Sequence, residues 1–109
     1  MNDAGRGLDC SWDAWHDRMP PGPARLTVRG TCTMPSPGYE LALRPRGAGD
    51  ERERLLELVV REPEGPVAQV LTPAEATYEE VTERRYDAVS IFEARSGDVV
   101  ARVEVREVS

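Results

Sequence analysis

Lysine is missing altogether: all 14 basic residues of the 109-residue chain are arginine. That excludes a lysine Schiff base and the lysine of a phosphate-binding loop. Histidine occurs once, as His16, so sites built from several histidines are excluded as well. Cysteine occurs twice, too few for the multi-bridge frameworks of disulfide-rich small domains. Aromatic residues are scarce, with two Trp, three Tyr and one Phe. No apolar run approaches the roughly 20 residues that a membrane-spanning helix needs.

What is present fits one acidic domain. Hydrophobic residues make up 39% of the chain, charged residues 31%, and the formal net charge is -6. About 100 residues suit a single domain with a modest core. The acidity is uneven. Residues 1–50 balance six Arg with six Asp or Glu, whereas residues 51–109 set eight Arg against fourteen acids. Such a surface repels phosphate backbones and anionic lipid, so neither nucleic acid nor a membrane is expected as a partner. The N-terminus lacks an apolar stretch of signal-peptide type, which points to a cytoplasmic protein with reduced thiols. Cys10 and Cys32 then read as two free thiols, Cys32 buried in a strand. The alternative is a Cys10–Cys32 bridge formed in an oxidising compartment.

Along the chain, residues 1–24 read as an N-terminal arm. It holds Trp12, Trp15 and His16 and ends in Met19-Pro20-Pro21-Gly22-Pro23, which cannot continue a helix. Residues 25–109 read as a β-domain. Leu26, Val28, Gly30, Cys32 and Met34 alternate with polar residues, the period-2 signature of a half-buried strand. Gly30 within it indicates a bulge or a close backbone approach. Tyr39, Leu41 and Leu43 give a second strand. The Leu-rich segment 52–62 fits either a helical stripe or a strand, and its β-branched end favours a strand. A short strand is expected over Val67–Thr72. At Thr72-Pro73-Ala74-Glu75 a capping-box helix start competes with an irregular edge strand, and the edge strand is preferred. Tyr86–Ala94 and Val99–Arg106 form two more strands around a turn at Ser96-Gly97-Asp98. The expected fold is therefore all-β: an antiparallel, immunoglobulin-like β-sandwich of six or seven strands with the arm packed across it.

Chemistry-bearing motifs are weak. Cys10 and His16 lie within seven residues of one arm, whereas catalytic Cys–His pairs normally meet through the fold. Glu75, Glu79, Glu80 and Glu83 lack the spacing of a calcium loop and read as a solvated face. Neither Ser36 nor Ser90 has a Gly-x-Ser-x-Gly context. No catalytic, metal-binding or cofactor-binding residue is assigned, and no cofactor is expected. Two features suit recognition of a protein partner. Trp12, Trp15 and His16 fall at i, i+3 and i+4, so one helical turn places both indoles on one face, either as core plugs covering an open end of the sandwich or as a displayed binding patch. The segment Pro35-Ser36-Pro37-Gly38-Tyr39 forms an exposed, pre-ordered loop that loses little entropy on binding, with Tyr39 anchoring its end in the core.

The Gly-Thr-Cys-Thr strand end, Pro-Ser-Pro-Gly-Tyr-Glu-Leu-Ala-Leu, the Leu-rich strand and Gln69-Val70-Leu71-Thr72 together resemble a group of small uncharacterised bacterial β-sandwich proteins. That resemblance spans roughly residues 25–105 and implies a fold rather than an activity. The loop is also similar to the Asn-Pro-Thr-Thr-Gly-Tyr loop of chagasin-type cysteine-protease inhibitors, which are immunoglobulin-like. Pro35, Gly38 and Tyr39 match by residue and Ser36 stands for Thr. The Arg-Pro-Trp loop of that family has no counterpart here. The expected function is a non-enzymatic protein-binding module, with protease inhibition through Pro35–Tyr39 as the alternative.

Overall fold

A computed structural model describes residues 9–47 and 49–108. Among them are eight strands and no helix: β1 (Asp9–Asp17), β2 (Arg25–Met34), β3 (Glu40–Pro45), β4 (Glu53–Arg61), β5 (Thr72–Val81), β6 (Ala88–Glu93), β7 (Val99–Glu104) and β8 (Arg106–Val108). They form two four-stranded sheets, ordered β5-β2-β1-β8 and β3-β4-β6-β7. One core unites the sheets. Ala14, Leu26, Val28 and Ala76 come from the first and Leu43, Leu56, Leu58, Val89 and Ile91 from the second. Fully burying each Leu, Val or Ile contributes about 1.5–3 kcal/mol. This is the arrangement expected of a β-sandwich, with differences of detail. There are eight strands rather than six or seven, and β1–β8 and β4–β6 pair in parallel rather than antiparallel.

The N-terminal segment is the main correction. Residues 1–8 of the expected arm lie outside the described residues, but Asp9–Asp17 is a strand inside the first sheet. It pairs with β2 through nine consecutive residues, from Asp9↔Thr33 to Asp17↔Arg25. Cys10, Trp12, Ala14 and His16 face inward, while Ser11, Asp13, Trp15 and Asp17 face outward. The helical-turn reading of Trp12, Trp15 and His16 therefore fails. Only 18–24, with a cis Pro20–Pro21 bond, connects as a loop. The two-free-thiol reading is overturned by the same pairing. Cys10 and Cys32 are register partners and form a disulfide.

The close approach foreseen at Gly30 is made by Trp12. A Cβ on Gly30 would run into the six-membered ring of that indole, so only glycine leaves room for it. β5 is an edge strand, as preferred over the helix, because its ten residues complete a ladder along the whole of β2. The strand expected over Val67–Thr72 begins only at Thr72, which pairs with Met34, the last residue of β2. Upstream of that pair there is no neighbour strand, and Val70 and Leu71 are exposed. The strand expected over Val99–Arg106 is split. A register shift opposite Ile91 and Phe92 turns Val99 outward, and Val100 packs on the core with Val103 and Val105. Beyond Val105 the chain leaves the second sheet, and β8 joins β1 in the first.

Candidate functional site

The expected partner-binding residues divide into three places. Trp12 packs against the core and the backbone of Gly30. Trp15, three residues on, stands half-buried on the opposite, outer face of the first sheet. The loop Pro35–Tyr39 follows β2 at the far end from Thr27, the register partner of Trp15. Pro35 lies eight residues beyond Thr27 along the chain, a span of about 27 Å at 3.4 Å per residue. Loop and indole do not form one surface.

Around Trp15 the outer face is polar and rich in arginine. Thr27 lies across from it on β2 and Arg106 across from it on β8. The Arg106 guanidinium carbon is 5.6 Å from the Trp15 ring centroid and that of Arg29 is 5.9 Å away, both within cation–π range. Arg106 is held in place by Asp13, donating from Nε at 3.1 Å to one carboxylate oxygen and from Nη2 at 2.7 Å to the other. This hydrogen bonding holds the Asp13 carboxyl below its ordinary value of 3.8 and raises the Arg106 pKa. Arg29 is exposed and has no ion-pair partner among the described residues. Ser11, Asp13, Trp15, Arg29 and Thr31, with Trp12, line a shallow hollow of about 200 Å³. The open margin of β1 explains why an inward-facing residue also borders it: β8 covers only Trp15–Asp17, and Asp9–Ala14 have no ladder partner on that side among the described residues.

The loop Pro35–Tyr39 is anchored rather than free. Ser36 is buried and donates its hydroxyl to the Pro37 carbonyl at 3.2 Å. Gly38 has φ +95°, and a Cβ there would come within 2.8 Å of Pro63 Cβ, so the loop packs on the β4–β5 connection. Tyr39 is half-buried and lies outside the central core cluster, against the expectation that it anchors the loop there.

Two polar clusters carry no sequence motif. His16 is 1% exposed; its Nε2 lies 2.9 Å from the Thr82 carbonyl, and its Nδ1 faces Arg18 at 3.5 Å and Glu107 at 3.7 Å. It ties β1 to the β5–β6 connection and to β8. The other cluster links the sheets at the end where β4 begins. Arg54 donates from Nη2 to the Tyr78 hydroxyl at 3.1 Å, and that hydroxyl donates to Glu80 at 2.9 Å. Arg54 Nε sits 3.0 Å from the same Glu80 oxygen but is misaligned for a hydrogen bond. Burial pushes the Tyr78 hydroxyl above its ordinary pKa. The only cue to either cluster in the sequence is a polar residue at an inward position of a strand, a signal legible once strand and face are known.

No protein-family model, curated protein or solved structure matches the chain.

Proposed function

We propose that the chain is a non-enzymatic module that binds a protein partner through the outer face of its first sheet, centred on Trp15. One observation carries this reading: a large indole is displayed on a sheet face, not inside the core, beside an arginine with no partner of its own among the described residues. Aromatic and arginine side chains dominate the energetics of protein interfaces, each presenting broad apolar area with a directional polar or charged edge. The Arg106–Asp13 bond holds one wall of the hollow, so little side-chain freedom is left there to lose on binding. A photo-crosslinking residue at position 15 should capture a partner that the same residue at Glu104, on the other sheet, does not. Trp15→Ala should fold normally and lose that partner; undiminished binding by this variant would overturn the reading.

A second reading, protease inhibition through Pro35–Tyr39, is favoured by the strand directions. β2, β4 and β6 all end at one end of the molecule, so the connections 35–39, 62–71 and 94–98 gather there, and Gly38 touches Pro63. The immunoglobulin-like relationship implied by the loop belongs to this reading. Inhibition of a papain-like protease that disappears in Pro35→Ala/Gly38→Ala supports it, and none at micromolar protein sinks it.

A further inference from the structure

We infer that the Cys10–Cys32 bridge is a redox-controlled clamp on the first half of β1, whose reduction releases Asp9–Asp13 from the sheet while the rest of the fold stays closed. The inference is independent of the Trp15 surface and starts from how unequally β1 is held. Its second half has neighbours on both sides: β2 along one edge, and β8 along the other at Trp15, His16 and Asp17. The Arg18 amide extends that second ladder to the Val108 carbonyl at 3.1 Å. His16 adds its contacts to Thr82, Arg18 and Glu107, and Ala14 is fully buried.

Among the described residues, the first half has β2 alone as a neighbour. Because Arg18 bonds toward β8 and backbone direction alternates along a strand, the even residues of β1 point toward the β8 side and the odd ones toward β2. Asp9, Ser11 and Asp13 therefore carry the whole hydrogen-bonded attachment of this half. The other non-covalent anchors among the described residues are the Trp12 indole, packed on the core and over Gly30, and the exposed Asp13–Arg106 pair. The disulfide sits on this weakly held half, four residues short of Ala14, the first fully buried residue of β1.

Burial fixes how reduction proceeds. Cys32 is 0% exposed, whereas Cys10 is half-buried at the open margin. The thiolate of a small dithiol reaches the Cys10 sulfur, forms a mixed disulfide there, and expels Cys32 as a thiolate that takes up a proton. The second thiol of the reductant then displaces Cys10, giving two protein thiols and the oxidised, disulfide form of the reductant. Two electrons and two protons are transferred in all. Once released, the strand leaves the odd-numbered backbone groups of β2 from Arg29 to Thr33 without partners, opening an edge to which another strand can add.

The test is amide hydrogen exchange on the full chain, oxidised and then reduced with dithiothreitol at neutral pH, with Cys10→Ala as a permanently open form. The expected result is a loss of protection of at least about tenfold at Ser11, Asp13, Arg29, Thr31 and Thr33. Exchange at His16, Arg18 and the β4–β6 ladder should change less than about threefold, and Cys10→Ala should match the reduced protein. Uniform loss across both sheets overturns the inference and makes the bridge a general staple. Unchanged exchange after complete reduction overturns it too, as does a bridge that dithiothreitol cannot reduce without unfolding the chain.

Discussion

The two tryptophans sit three residues apart on one strand and do opposite work. Trp12 faces inward, fills space over Gly30 and belongs to the core packing. Trp15 faces outward, flanked by Arg29 and Arg106 on a polar sheet. An odd spacing along a strand inverts the face, so two residues of identical chemistry become a structural plug and a displayed surface. The lesson is that an aromatic pair is a patch only in the secondary structure that aligns it: on a helix these two would be neighbours, and on a strand they are separated by the sheet itself.

Removing the Trp12 indole has the largest expected effect. Trp12→Ala should cost about 3 kcal/mol, because it empties core volume that the sheets cannot close over, and denaturant unfolding should show the shift without loss of cooperativity. An unaltered midpoint would mean that the inner indole is not part of the packing. Gly30→Ala comes next, with about 1–3 kcal/mol from overpacking against the same ring. Combined with Trp12→Ala it should cost far less than the sum of the two, since the ring it strikes is gone; strict additivity would show that they do not touch. Trp15→Ala should change stability by less than about 1 kcal/mol, as the site is a surface one, and should act on partner binding instead. The smallest effect belongs to Asp13→Asn. Arg106 depresses the folded-state pKa of Asp13, so this pair stabilises the fold above the ordinary carboxylate value of 3.8 and stops doing so as pH falls through the lower folded value. Wild type and variant should therefore differ slightly at neutral pH and converge in acid, as followed by thermal unfolding across that range.

How far the sequence spoke depends on how cleanly each strand alternates. β2, β3, β4 and β6 were legible because apolar and polar residues alternate or because β-branched residues end the run. β1 alternates equally well in geometry, but its inward set includes His16 and its outward set includes Trp15. Hydrophobicity therefore reports no period of two, and the i, i+3, i+4 spacing imitates a helix. The capping-box signal at Thr72 was real local chemistry overridden by a ten-residue ladder with β2. The outward turn of Val99 came from a register shift that composition does not encode. At the candidate site, Trp15 and Trp12 carry the same aromatic signal in the sequence; only the pairing of β1 with β2 sorts them. Arg29, Arg106 and Asp13 carried no motif because they converge from three strands, with Asp13 and Arg106 separated by 93 positions. The disulfide was legible as an alternative and became determinate once Cys10 and Cys32 stood opposite each other.

The crossing at Val105, from one sheet to the other, bears on how the chain acquires its structure. β8 lies against β1, and the arginine that braces Trp15 comes from almost the last described residues. During synthesis, β1, β2 and β5 can assemble once residue 81 has emerged, but the half of β1 around His16 gains its second neighbour only when 106–108 arrive. A nascent chain thus carries an unfinished sheet until residues 106–108 have been made. Pairings so distant in sequence place this domain among slow folders, with closure of the loop between its first and last strands as the costly step.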